Sequence, residues 1–137
     1  MSTAGRMRIH EGGCLCGAIR YRITGTPLSS VVCHCKTCRR ASGAPTVGWL
    51  TVDRGRFDVL RGSARTFHSS PGVKRRFCAD CGSALTYENS KSPATIDVTT
   101  ASLDDPGAFA PTAEVWLDHK ISWQILDANL RRHPQGS

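Results

Sequence analysis

Residues 12–24 read GGCLCGAIRYRIT, and this stretch points to both the fold class and the chemistry of the chain. Cys14 and Cys16 lie between glycines, which allow the tight backbone that lets two sulfurs converge. From Ile19 to Thr24, apolar and polar residues alternate, as they do in a half-buried β-strand. The stretch therefore predicts a pair of metal ligands followed directly by a strand.

The same alternation recurs along most of the chain, whereas helical periodicity is rare. Turn sequences such as Gly25-Thr26-Pro27 and Ser70-Pro71-Gly72 separate the alternating segments. We predict a mainly β domain with one or two short helices, one directly after Cys35 and one around residues 122–130. Strands are predicted at residues 18–24, 30–34, 45–52, 57–60, 64–68, 73–77, 84–88, 95–99 and 114–117.

With 137 residues and 39% hydrophobic content, the chain is long enough for one domain that buries about two-thirds of its unfolded surface. We expect a flexible N-terminus at residues 1–6, the folded domain at residues 7–130 and a flexible tail at residues 131–137. Residues 1–6 lack the apolar core of a signal peptide, and no stretch approaches the roughly 20 apolar residues of a membrane span. We therefore expect a cytoplasmic protein with reduced thiols.

The seven cysteines fall into three clusters: Cys14/Cys16, Cys33/Cys35/Cys38 and Cys78/Cys81. Spacings of one or two residues suit a tetrahedral metal, because zinc–sulfur bonds of about 2.3 Å place neighbouring sulfurs about 4 Å apart. An odd number of clustered cysteines disfavours disulfides, and the spacings do not match iron–sulfur motifs. The two pairs supply four thiolates, enough for a closed structural zinc, whereas the triplet leaves a fourth position open. We predict two zinc ions per chain.

Two alternatives remain open from the spacing alone. His34 could complete the triplet's metal site, although its side chain points away from the two flanking sulfurs if the segment is extended. A second partition would pair Cys35 and Cys38 with the Cys-x-x-Cys pair at residues 78 and 81 as a zinc ribbon. That partition leaves three cysteines without a metal: Cys14, Cys16 and Cys33.

The formal net charge of +7 at first suggests an anionic partner such as nucleic acid. Seven thiolates and two Zn²⁺ ions together lower this charge by three. The longest basic run is Lys74-Arg75-Arg76, and no aromatic stacking platform accompanies it. We interpret the basic residues as a solvated surface and do not expect nucleic acid or a membrane as a partner.

An open three-thiolate zinc suits the binding of an external thiol. Its formal charge of −1 makes it a weaker Lewis acid than a zinc held by neutral histidines, which disfavours water activation. A free thiol has a pKa near 8.5, so only a few per cent is ionised at about pH 7, and coordination would deprotonate it. We therefore predict thiol handling at Cys33, Cys35 and Cys38.

The motifs GGCLCG, CHCKTCRRASGAP, FCADCGSAL and ASLDDP, with the late residues Trp116 and Trp123, resemble the GFA family of glutathione-dependent formaldehyde-activating enzymes. The family also includes CENP-V proteins, and the resemblance runs from Cys14 to Trp123. It implies a β-tent of packed antiparallel sheets, and it implies condensation of formaldehyde with glutathione, a carbon–sulfur lyase reaction in reverse. It also implies a structural zinc at Cys14, Cys16, Cys78 and Cys81 and a catalytic zinc at Cys33, Cys35 and Cys38.

Substrate-binding residues are less well marked than the metal ligands. Arg39 and Arg40 directly follow the triplet and could bind a glutathione carboxylate through bidentate contacts, or they could be exposed on a short helix. The tryptophans are expected in the core, and Asp104-Asp105-Pro106 in a turn. The alternative to an enzyme is a non-catalytic zinc module that binds protein or nucleic acid and supplies a fourth protein ligand to the triplet's metal.

Overall fold

The computed structural model describes residues 7–136, which form eleven strands and one α-helix. The helix α1 spans Lys36–Ser42 and begins directly after Cys35, as the sequence predicts. The strands are β1 (Ile9–Gly13), β2 (Arg20–Thr24), β3 (Ser29–Cys33), β4 (Val47–Asp53), β5 (Phe57–Arg61), β6 (Arg65–Ser70), β7 (Val73–Phe77), β8 (Ala84–Asn89), β9 (Thr95–Thr99), β10 (Ala113–Val115) and β11 (Arg131–Arg132). Short 3₁₀ turns lie at Arg54–Arg56, Thr100–Ser102, Pro106–Ala108 and Leu117–His119.

The strands form two sheets, which confirms the mainly β fold. The smaller sheet has the order β1-β2-β5, and the larger has the order β11-β10-β3-β4-β9-β8-β7-β6. Neighbouring strands are antiparallel except at one edge of the larger sheet, where β10 runs parallel to both β3 and β11. Within residues 7–136, no helix combines the length and the hydrophobicity needed to cross a membrane.

The main core lies between the two sheets. Tyr21 and Ile23 of β2 are each 1% exposed and pack in one cluster with Leu50 of β4 and Val98 of β9, which are fully buried. Full burial of an apolar side chain contributes about 1.5–3 kcal/mol, so such residues hold the sheets together. On β2 the alternating Arg20, Arg22 and Thr24 remain partly exposed, as the period-2 pattern predicts.

The prediction of a second helix around residues 122–130 is wrong. Trp123, which would lie on the apolar face of such a helix, is 67% exposed, and the segment forms no helix. Its backbone bonds to side chains instead: the Lys120 ammonium donates to the carbonyls of Ile121, Ser122 and Gln124. The expectation that Trp123 lies in the core is therefore wrong, whereas Trp49 is 7% exposed.

The C-terminal segment joins the larger sheet at β11 and makes backbone hydrogen bonds through residue 135, whereas the sequence predicts a flexible tail at residues 131–137. Arg131 and Arg132 pair with Ala113 and Glu114 in parallel register. Further along, the backbone N–H of Trp116 donates to the carbonyl of Gln135 at 2.9 Å. These backbone hydrogen bonds hold residues 131–135 against the rest of the domain. Residue 137 and the predicted flexible N-terminus at residues 1–6 lie outside the described residues.

Candidate metal centres and the adjoining cavity

Four cysteine sulfurs meet where a loop of each sheet approaches the other. Cys14 and Cys16 lie in the β1–β2 loop of the smaller sheet, and Cys78 and Cys81 lie in the β7–β8 turn of the larger sheet. All four sulfurs lie within 4.8 Å of one another, with Cys14 Sγ 3.6 Å from Cys16 Sγ and the latter 3.7 Å from Cys78 Sγ. This four-cysteine site therefore joins the two sheets.

Glycine turns shape both loops of the four-cysteine site. Gly17 and Gly82 have φ values of 80° and 78°, a left-handed region that side chains disfavour. The N–H of Gly17 donates to the carbonyl of Cys14 at 3.1 Å, and that of Gly82 donates to Cys78 at 2.8 Å. Each glycine thereby closes a turn around its own cysteine pair.

Hydrogen bonds favour the thiolate form at two residues of the four-cysteine site, Cys81 and Cys14. The Ser83 hydroxyl accepts from the N–H of Leu15 at 3.0 Å, so its own proton can point to Cys81 Sγ, 3.1 Å away. The Ser83 side chain is the main reason that the pKa of Cys81 falls to about 5. The N–H of Ile19 donates to Cys14 Sγ at 3.2 Å. Metals bind thiolates, so such contacts favour the ligand form of the side chains.

The second cysteine group, Cys33, Cys35 and Cys38, lies at the junction of β3 and α1. Cys33 ends the strand, Cys35 precedes the helix, and Cys38 lies in its first turn. The three sulfurs lie within 4.8 Å of one another, and those of Cys33 and Cys38 are 3.7 Å apart. Hydrogen bonds from the Cys33 and Cys38 thiols lower the pKa of Cys35, whereas the bonds that Cys33 makes raise its own pKa. We call this group the three-cysteine site.

The sulfur spacings at both sites fit zinc. A tetrahedron with bonds of about 2.3 Å places sulfurs about 3.8 Å apart, close to the 3.6–3.7 Å seen here. All-thiolate donor sets also favour zinc over hard cations such as Mg²⁺. Within residues 7–136, no histidine, cysteine or carboxylate lies close enough to the three-cysteine site to serve as a fourth ligand. The zinc-ribbon partition does not match the structure, because the two cysteine groups are separate.

His34 faces away from the three-cysteine site and has another role. It is fully buried, and its Nε2 lies 2.8 Å from Oε1 of Glu114, which is 3% exposed. The other oxygen of Glu114 accepts from the N–H of Asp127 at 3.0 Å. The pair thus attaches β3 to β10 and to the segment after Lys120, and His34 is not placed as a metal ligand.

A cavity of about 480 Å³ adjoins the three-cysteine site, within the size range of small-molecule sites. Its wall is mainly aromatic and aliphatic, formed by Val31, Trp49, Tyr87, Val115 and Trp116. Its polar lining includes Lys36, Thr51, Arg75, Asp97 and His119. A cavity of about 540 Å³ beside the four-cysteine site is larger, but no Lys, Arg, His, Asp or Glu side chain from residues 7–136 lines it. The smaller cavity therefore has the chemistry of a ligand site.

Arg75 of β7 is the main cavity residue that sequence reasoning missed. Its two terminal nitrogens lie 3.7 and 3.6 Å from Cys38 Sγ, and its carbon Cζ lies 5.0 Å from the centre of the Tyr87 ring. Ser69 and Thr37 hydroxyls accept from the same guanidinium at 3.1 and 3.0 Å. When the three sulfurs bind a metal as thiolates, this fixed cation would offset part of their negative charge. Strand alternation could have indicated it, since Arg75 faces opposite to Lys74 and Arg76.

Arg39 and Arg40, the predicted substrate-binding residues, do not line the cavity. Arg39 donates from Nε to the carbonyl of His34 at 3.3 Å and from Nη2 to that of His119 at 3.1 Å. Arg40 is exposed on α1. Arg39 therefore holds the helix to the segment after β10. The lysine and arginine side chains that line the cavity are those of Lys36 and Arg75.

Trp116 lines the cavity and has an unusual backbone conformation. Its φ of 59° is the one positive value among the non-glycine residues of 7–136, and such conformations cost on the order of 1–3 kcal/mol. Two backbone hydrogen bonds hold this conformation in place. The N–H of Trp116 donates to the carbonyl of Gln135 at 2.9 Å, and the N–H of Leu117 donates to the carbonyl of His133 at 3.1 Å. Gly136 lines the same cavity. The C-terminal segment thus supports one wall of the candidate site.

A family model and a curated relative point to the same protein family. Residues 9–119 match the family model described as "Glutathione-dependent formaldehyde-activating enzyme". A Halomonas elongata protein named "Putative glutathione-dependent formaldehyde-activating enzyme" is 29% identical over 130 residues, which cover 86% of this chain and 81% of that protein. A crystal structure of a Rhodobacter sphaeroides protein is 26% identical, with a TM-score of 0.58, and the match covers 69% of this chain and 87% of that one.

Proposed function

This chain belongs to the glutathione-dependent formaldehyde-activating enzyme family, and on that basis we propose that it is a zinc-dependent enzyme of the carbon–sulfur lyase type. It would resemble S-(hydroxymethyl)glutathione synthase, binding a glutathione-type thiolate and adding it to formaldehyde or a related small aldehyde. The observation that carries the proposal is a group of three thiolate donors that opens on a cavity of about 480 Å³.

We assign the structural zinc to the four-cysteine site and the catalytic zinc to Cys33, Cys35 and Cys38. At the three-cysteine site, bound zinc would keep the substrate thiol deprotonated at neutral pH. Arg75, in contact with Cys38 Sγ, would offset the charge added by a fourth thiolate.

The reaction itself is an addition without oxidation or reduction. The substrate sulfur forms a bond to the carbonyl carbon, the carbonyl π electrons move to oxygen, and a proton completes the hydroxyl group of the product. The thiol's own proton leaves when the thiolate forms, so protons balance overall. Trp49, Tyr87 and Trp116 would exclude water from the reacting groups.

Substrate carboxylates would bind Lys36 and Arg75 in preference to Arg39 and Arg40. A guanidinium has five N–H donors in a fixed fork, so Arg75 can keep its bonds to Ser69 and Thr37 and still meet a carboxylate. Lys36 lines the same cavity from the start of α1. We place this chemistry in the reducing cytoplasm, where thiols stay reduced and available for metal and substrate.

The proposal is tested by titrating the zinc-loaded protein with glutathione and following formaldehyde consumption. We expect saturable binding and a rate above the uncatalysed reaction, with Cys35→Ser removing both. The exposed Asp58→Asn variant serves as a control that should behave as the wild type. An absence of saturable binding together with no excess rate would refute the proposal. The rival non-catalytic zinc module predicts a fourth protein ligand at the three-cysteine site, which residues 7–136 do not supply.

A further inference from the structure

Among residues 7–136, Asp97 of β9 is the one carboxylate that lines the cavity beside the three-cysteine site. The Thr51 hydroxyl donates to its Oδ1 at 2.7 Å. Asp97 takes part in none of the ion pairs found within residues 7–136. Burial raises its pKa, which reflects the cost of a desolvated charge without a cation. A ligand cation at this carboxylate would relieve that cost.

Strand register places Asp97 in a row across the floor of the cavity. Asp97 pairs with Thr51 of β4 on one side and with Tyr87 of β8 on the other, and Tyr87 pairs with Arg75 of β7. Charges of opposite sign therefore lie two strands apart in the same cavity. A ligand with both an ammonium and carboxylates would find partners for each.

The distance to the sulfurs suits a small peptide thiol. Cys33 pairs with Val47, which lies four residues along β4 from Thr51, the neighbour of Asp97. These positions differ by about 13 Å along the strands, at about 3.3 Å per residue, and by two strand spacings of about 4.8 Å across them, because β3 and β9 lie on opposite sides of β4; Cys33 and Asp97 are therefore about 16 Å apart. A tripeptide spans about 10 Å when extended, a metal between two sulfurs adds about 4 Å, and a hydrogen bond to the carboxylate adds about 3 Å. The amino end of a tripeptide thiol held at the three-cysteine site can therefore reach Asp97.

We propose that Asp97 binds the ammonium group of the thiol substrate and so selects thiols that carry a free amino group. This inference rests on the proposed function, since it concerns the same cavity. In glutathione the group concerned is the amino group of the γ-glutamyl residue, whose adjacent carboxylate is free to meet Arg75 or Lys36. Thr51 acts as a positioning residue, because its hydroxyl fixes one carboxylate oxygen and leaves the other for the ligand.

The experiment compares two thiols on zinc-loaded protein by isothermal titration calorimetry. One is glutathione, and the other is glutaryl-cysteinylglycine, which lacks only the amino group and adds no bulk. The wild type should bind glutathione at least about tenfold more tightly, as expected for a charge-assisted hydrogen bond. Asp97→Asn should reduce this preference to within about twofold. Asp58→Asn removes the same charge from an exposed site on β5 and should keep the full preference.

The outcomes separate the two proposals. Equal binding of the two thiols by the wild type, or an undiminished preference in Asp97→Asn, overturns the role of Asp97 and leaves the proposed function standing. No saturable binding of either thiol by the wild type overturns both. Should Asp97→Asn fail to fold, as judged by circular dichroism, the wild-type comparison still decides whether the amino group is recognised.

Discussion

Replacing Cys81 with serine removes one of the four sulfurs that join the β1–β2 loop to the β7–β8 turn. Cys16 and Cys78, on the two sides of this junction, are 62 residues apart in sequence. A cross-link that closes a loop of this length lowers the entropy of the unfolded chain by about 4 kcal/mol at 25 °C. Domains of this size are typically stable by about 5–15 kcal/mol, so losing the link removes a large part of the total.

The matched change is Cys35→Ser at the three-cysteine site. Cys33 and Cys38 are only five residues apart, for which the same relation gives about 2 kcal/mol. Cys35 is also the most exposed member of its group, so serine there disturbs packing least. The two variants therefore remove the same atom type with about a twofold difference in expected destabilisation.

Thermal unfolding followed by circular dichroism, with zinc content measured on the same samples, checks the difference. At roughly 3–4 °C per kcal/mol for a chain of this size, Cys81→Ser should lower Tm by about 15 °C and Cys35→Ser by about 7 °C or less. Cys35→Ser should retain one zinc per chain. Equal losses of Tm in the two variants, or an unchanged Tm in Cys81→Ser, would show that the structural and catalytic roles are wrongly divided.

Three further predictions concern single side chains. Arg75→Gln should raise KM for glutathione by about 10-fold or more, because it removes a cation that would donate to a substrate carboxylate. Steady-state kinetics would measure the change, and Arg40→Gln, at an exposed position on α1, serves as the control. His34→Gln should keep two zinc ions per chain while losing about 1–3 kcal/mol in urea unfolding, since it disturbs the buried bond to Glu114 but no metal ligand; loss of one zinc would contradict this role. Because burial raises the pKa of Asp97, its protonated form favours folding below the unfolded pKa of about 3.9, and this contribution is lost as pH rises through the folded pKa. Asp97→Asn should therefore raise Tm of the ligand-free protein near neutral pH, with a gain that shrinks towards about pH 4, and a lower Tm at neutral pH would refute the assignment.

Period-2 alternation in the sequence predicts nine of the strands close to their observed bounds. The match between pattern and burial is clearest in β2, where Tyr21 and Ile23 are buried and the residues that alternate with them are partly exposed. The alternation misses β1, whose sequence IHEGG contains two glycines and no clear alternation. It also misses β11, where only two residues bond. The helical spacing of Trp123, Leu126 and Leu130 misleads, since the segment forms no helix and Trp123 is 67% exposed.

Part of the candidate site can be predicted from residues that are close in sequence, and part of it cannot. Cysteines two to five residues apart indicate the ligand groups, since the chain between them is too short to separate the sulfurs widely. Arg75 and Asp97 reach the cavity through the pairing of β7, β8, β9 and β4, and no local pattern specifies that pairing. Arg39, adjacent to Cys38 in sequence, bonds instead to backbone carbonyls of His34 and His119.

The backbone bonds that connect residues 133–135 to residues 114–118 have a practical consequence for handling the protein. Gly136 belongs to the cavity wall, and Trp116 keeps its strained conformation against Gln135. A truncation before Arg131 would remove these bonds and Gly136 together, and so would alter the wall of the cavity beside the three-cysteine site. Weak activity measured on such a preparation would then describe the truncation, and a protein that retains residues 131–136 is the proper reference for kinetic work.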